Sequence, residues 1–78
     1  MNSKVKVGDW ISVGESMIPA YVFRVTSDIE VYAGYYQNDL KAIGEDFTFD
    51  GCLWRFKNSG ASGTYLRGAE AAIVKRGP

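Results

Sequence analysis

Among side chains that could do chemistry, the sequence offers carboxylates, lysines and serines, one cysteine and no histidine. The usual general base at neutral pH and the commonest zinc ligand are therefore both missing. Cys52 alone cannot build a metal site or an internal disulfide. Glu45, Asp46 and Asp50 approach the composition of a calcium loop, but Phe47 and Phe49 interrupt its alternating ligand spacing. Ser59 or Ser62 beside Lys57 would make a serine and lysine pair, yet a loop of small residues accounts for those serines without chemistry. Residues 60–63, GASG, lack the spacing of a phosphate loop, and no GxGxxG occurs. No catalytic residue, metal or cofactor is expected, which leaves binding as the main work of the chain.

Two sets of residues could bind. The first is an apolar stripe of Ile18, Val22, Tyr32 and Tyr36, with Arg24 and Glu30 as its rim, poor in charge and rich in tyrosine like the centre of a protein interface. The second is basic: Arg55, Lys57, Lys75 and Arg76 could contact the phosphates of a single-stranded nucleic acid while Tyr32 and Tyr36 stack on its bases. Lys4 and Lys6 would join them if the termini meet. Charge is unevenly spread: residues 28–50 carry six acids against Lys41, and residues 51–78 carry five bases against Glu70. A formal net charge of zero weighs against a polyanion as partner, so a protein partner or self-association comes first.

These residues need strands to position them. In residues 45–57, EDFTFDGCLWRFK, Asp50-Gly51 between apolar runs predicts a two-residue hairpin turn. Phe49 then faces Cys52, Phe47 faces Trp54, Asp46 faces Arg55 and Glu45 faces Phe56. Phe47, Phe49, Cys52, Trp54 and Phe56 share a buried face, and Glu45 lies at its rim. In residues 18–36 a three-residue loop, Thr26-Ser27-Asp28, sets Val25 against Ile29, Phe23 against Val31 and Tyr21 against Ala33. That register places the stripe of Ile18, Val22, Tyr32 and Tyr36 on the opposite side, where something must cover it.

Residues 1–6 read as a frayed arm, Val7-Gly8-Asp9 as a turn and residues 10–13 as a strand. Residues 37–39 form a polar turn, 40–43 a strand or helical turn, and 58–63 a loop. Residues 64–66 make a strand, 68–72 one helical turn and 73–76 a last strand. Five to seven short antiparallel strands with one short helical turn near the C-terminus describe an all-β domain, closed into a small barrel so that no edge is left bare. The segments GDWISV and TYLRGAEAAIVKR resemble the first and last strands of SH3-like barrels, and that resemblance implies the fold type alone.

With 78 residues there is room for one domain, 1–78, and eleven aromatic residues supply its core. No apolar run is long enough to span a membrane and the first residues are too polar for a signal peptide, so a cytoplasmic protein is expected, with no membrane partner. The reading is a small non-enzymatic module acting through protein contacts, of the kind found among accessory or inhibitory proteins of bacteria and mobile elements. Single-stranded nucleic-acid binding is the alternative. A second alternative is an oligomeric enzyme with its site assembled between subunits.

Overall fold

The computed structural model describes residues 5–37, 41–57 and 63–78. Among them are six strands and one helix: β1 (Trp10–Val13), β2 (Ile18–Ser27), β3 (Glu30–Gln37), β4 (Lys41–Phe49), β5 (Trp54–Phe56), β6 (Thr64–Tyr65) and α1 (Gly68–Arg76). The expectation of a mostly β chain with a short helical element near its C-terminus therefore holds. The sheet runs β3-β2-β1-β5-β4-β6, and β3 also pairs with β4. Neighbours are antiparallel except β1 and β5, which meet in parallel at Val13 and Trp54.

Alternation sorts the strands into an inner and an outer side. Ile11 and Val13 of β1, Ala20 and Val22 of β2, Val31, Ala33 and Tyr35 of β3, Ile43 and Phe47 of β4 and Trp54 of β5 make the core. Phe47, Val13, Val22 and Val31 are its largest fully buried side chains. β1 leads into β2 through a turn with positive φ at Gly14 and Met17, closed by the Met17 amide donating to the Gly14 carbonyl at 3.1 Å. The expected turn at residues 7–9 is also present, with Gly8 at φ 98° and the Asp9 amide bonded to the Lys6 carbonyl.

Both hairpin registers differ from expectation. Between β4 and β5 the loop has four residues, because the Asp50 carboxylate accepts from the amides of Cys52 and Leu53 at 2.9 and 2.8 Å. Phe49 therefore faces Trp54, Thr48 faces Arg55 and Phe47 faces Phe56. A shift of two residues preserves the side each residue points to. The aromatic face survives, with Phe47 and Phe56 rings 4.9 Å apart and Phe49 and Trp54 rings 5.3 Å apart. Cys52 leaves it and is exposed rather than buried. Arg55 pairs with Asp50, not with Asp46.

Between β2 and β3 the turn is Asp28-Ile29, flanked by Ser27 facing Glu30, and the Ser27 hydroxyl accepts from the Ile29 amide at 3.3 Å. Register shifts lie between Val22 and Arg24 and between Val25 and Ser27. Each shift inserts a residue, so counting from one loop at constant register fails. Val22 faces Ala33 and Arg24 faces Tyr32, which puts Val22 in the core.

Residues 68–76 form one continuous helix instead of a helical turn and a strand. Ala69-Glu70-Ala71-Ala72 favours helix strongly enough to carry Ile73 and Val74 with it. Glu70 in the first turn and Lys75 and Arg76 in the last suit the helix dipole, and Gly77 ends the helix at φ 81° with its amide bonded to the Ile73 carbonyl. Of the expected arm at residues 1–6, turn at 37–39 and loop at 58–63, residues 1–4, 38–39 and 58–62, with Ser59 and Ser62, lie outside the described residues.

Candidate functional site

α1 lies on the outer side of β3, and this decides which tyrosines are available. Gly34 separates Tyr32 from Tyr36 along β3 and faces Gly44 across β4. A Cβ at Gly34 would come within 2.6 Å of Leu66, 2.7 Å of Phe23 and 2.9 Å of Val74. The helix and the segment before it thus occupy a notch that two glycines leave open, with one tyrosine on either flank.

Tyr32 is absorbed by the fold. Its hydroxyl end lies over Gly44, its ring is 6.3 Å from that of Phe23, and the Arg24 guanidinium stands 4.9 Å above the ring. Burial, and then the nearby Glu70 carboxylate, raise its pKa above the ordinary tyrosine value. Arg24 and Glu30 do not form a pair: Arg24 covers Tyr32, and Glu30 accepts from Lys57 Nζ at 2.5 Å. Val22 has 0 % of its surface exposed and cannot contact a partner. The stripe expected from a constant register is therefore not a single surface.

Ile18 and Tyr36 do come together. They form the shared wall of two clefts, one completed by Tyr35, Gln37 and Phe56, the other by Trp10, Pro19, Val74 and Lys75. The first encloses about 380 Å³. Phe56, packed edge-on against Tyr35 at 5.5 Å, keeps 39 % of its surface exposed beside the cleft. Lys75 continues into a third cleft with Lys41, Ala42, Tyr65 and Leu66. There Lys41 Nζ donates to the Tyr65 hydroxyl at 3.1 Å.

The four bases of the nucleic-acid alternative are not gathered. Arg55 is bound by Asp50 and Lys57 by Glu30, and each partner raises the pKa of its base. Lys75 and Arg76 stand exposed on the last turn of α1. Lys4 lies outside the described residues. Glu45 faces Ala33 rather than Phe56 and is buried at 7 % exposure, close enough to Tyr35 to help burial raise the pKa of that phenol. Among the described residues, no group of three His, Cys, Asp or Glu side chains could hold a metal ion. No helix of the described residues is long and apolar enough to cross a membrane.

Phe56, Trp10, Lys41 and Tyr65 were not legible as site residues. Phe56 sits at the end of a three-residue strand, where alternation alone would bury it. Lys41 meets Tyr65 only because β4 pairs with β6, a contact 24 residues apart that leaves no local sign. In comparisons with known proteins, no family model, no curated protein and no solved structure matches this chain.

Proposed function

We propose that the chain is a small, non-enzymatic, SH3-like β-barrel module that binds an extended segment of another protein in the cytoplasm. Pairing of β4 with both β3 and β5 returns the strand order to its start, which supports a barrel. An exposed, unpaired Cys52 suits a reducing compartment. The observation that carries the binding reading is that Ile18 and Tyr36 divide two adjoining clefts, with exposed Phe56 on one side and Trp10 with Pro19 on the other. Clefts in series with aromatic walls suit successive side chains of an extended peptide, with tyrosine to anchor it. Ion pairing of Arg55 and Lys57 weighs against a nucleic-acid strand running along β5.

The test is selection of random displayed peptides of about a dozen residues on the immobilised protein, with a Tyr36→Ala, Phe56→Ser variant as control. Recovered peptides should bind the unaltered protein and lose about tenfold or more in affinity on the variant, since anchor residues dominate such interfaces. Circular dichroism should show the variant folded. Recovery of no peptide, or equal binding by a folded variant, would overturn the reading. Sedimentation of the unaltered protein separates this function from its rivals: a stable oligomer through the same clefts would point to self-association or to an enzyme site between subunits.

A further inference from the structure

We infer that the bound segment is acidic where it leaves the apolar clefts, and that Lys41 and Lys75 receive its carboxylates; this rests on the peptide-binding reading above. Lys75 is common to the cleft containing Ile18 and Tyr36 and to the cleft containing Lys41 and Tyr65, so the apolar surface runs into a cationic one. Among the described residues, no carboxylate lines the cationic cleft. Among the described residues neither Lys41 nor Lys75 makes an ion pair, in contrast to Arg55 and Lys57, which are both neutralised.

The two ammonium groups are held by different means. Lys75 stands in the last turn of α1, where the helix dipole favours a cation whatever else is present. Lys41 is set by Tyr65, whose hydroxyl accepts its hydrogen bond and whose ring centroid lies 5.0 Å from Nζ. Accepting that bond leaves the phenol proton of Tyr65 to be donated elsewhere. The cleft thus offers two ammonium groups and one hydroxyl donor, a set that matches a carboxylate by charge and by hydrogen bonding.

A phosphate would match the same donors, but the surroundings favour a peptide. A base stacking on Tyr65 would find one side of the ring taken up by Lys41. The adjoining cleft is walled by Ile18, Pro19 and Val74, which suit aliphatic or proline side chains better than bases. Apolar contacts then anchor the segment while the lysines fix its direction and hasten its arrival.

The experiment compares peptides selected on the unaltered protein with those selected on a folded Lys41→Glu, Lys75→Glu variant. Peptides from the unaltered protein should combine apolar residues with an excess of Asp and Glu toward one end, and should bind the variant about tenfold more weakly. The variant should lose the acidic preference while still recovering apolar sequences. Apolar peptides without acidic excess, or the same acidic excess from both proteins, would overturn the inference and leave the peptide-binding reading standing. Recovery of nothing from either protein would end both. A fluorescein-labelled oligodeoxythymidylate is the second probe: tight, salt-sensitive binding that the variant loses would assign the lysines to phosphate and overturn the inference.

Discussion

Gly34 of β3 and Gly44 of β4 stand directly opposite each other, and their bare backbones are the seat on which Leu66, Val74 and the Tyr32 ring rest. One glycine pair thus does two things. It lets α1 cover the outer side of β3, and it sets Val74 and Lys75 beside Tyr36, where the clefts meet. Gly34→Ala should therefore destabilise the protein by about 1–3 kcal/mol, the usual cost of overpacking, despite the better strand propensity of alanine. Urea unfolding measures it. Unchanged stability would mean that Leu66, Phe23 and Val74 can all withdraw, and that the helix is not seated as described.

Acid should act on the β4–β5 loop through Asp50. The Arg55 side chain, and then the amides of Leu53 and Cys52, hold its carboxyl well below the ordinary aspartate value. A group with a depressed folded pKa contributes stability above its unfolded value of about 3.8, and that contribution is lost as pH falls below it. NMR titration of the Asp50 carboxyl should find it still ionised below pH 3.8 in the folded protein. Arg55→Leu should move the titration back toward the ordinary value. Titration at the ordinary value in the unaltered protein would refute the loop geometry.

Cys52 should react in the native state. It projects from the four-residue loop into solvent, whereas a two-residue turn would have hidden it among the aromatic rings. A thiol reagent such as dithionitrobenzoate should label the folded protein fully without denaturant, because access and thiolate fraction govern the rate. Labelling only after unfolding would restore the two-residue turn.

Truncation at the centre should be severe. Phe47 is fully buried and its ring meets those of Tyr35 and Phe56 at 6.2 and 4.9 Å. Phe47→Ala should cost about 3–5 kcal/mol, a large share of the stability available to a domain of this size. Thermal unfolding followed by circular dichroism would register it as a much lower Tm or a chain that does not fold.

Most strands, and the shared aromatic side of β4 and β5, were legible in the sequence because alternation survives an error of two residues. Phe47, Phe49, Trp54 and Phe56 kept their common side although the turn was longer than Asp50-Gly51 implied. Register was not legible in β2, because the shifts between Val22 and Arg24 and between Val25 and Ser27 break any count made at constant register from the turn. That error turned Val22 into a surface residue and joined Tyr32 to a stripe it does not share. The helix was half legible: the β-branched Ile73 and Val74 suggested a strand, and only the notch at Gly34 shows why Val74 is needed on a helix. Of the expected contact residues, Ile18 and Tyr36 meet at a cleft.

Heteronuclear NMR of the labelled protein, titrated with a peptide recovered by display, tests the central claim most directly. Shift changes should concentrate at Ile18, Tyr36 and Phe56 and extend through Lys75 to Lys41 and Tyr65. Changes confined to the Asp28-Ile29 tip or to the Asp50–Leu53 loop, with the cleft residues unmoved, would contradict it.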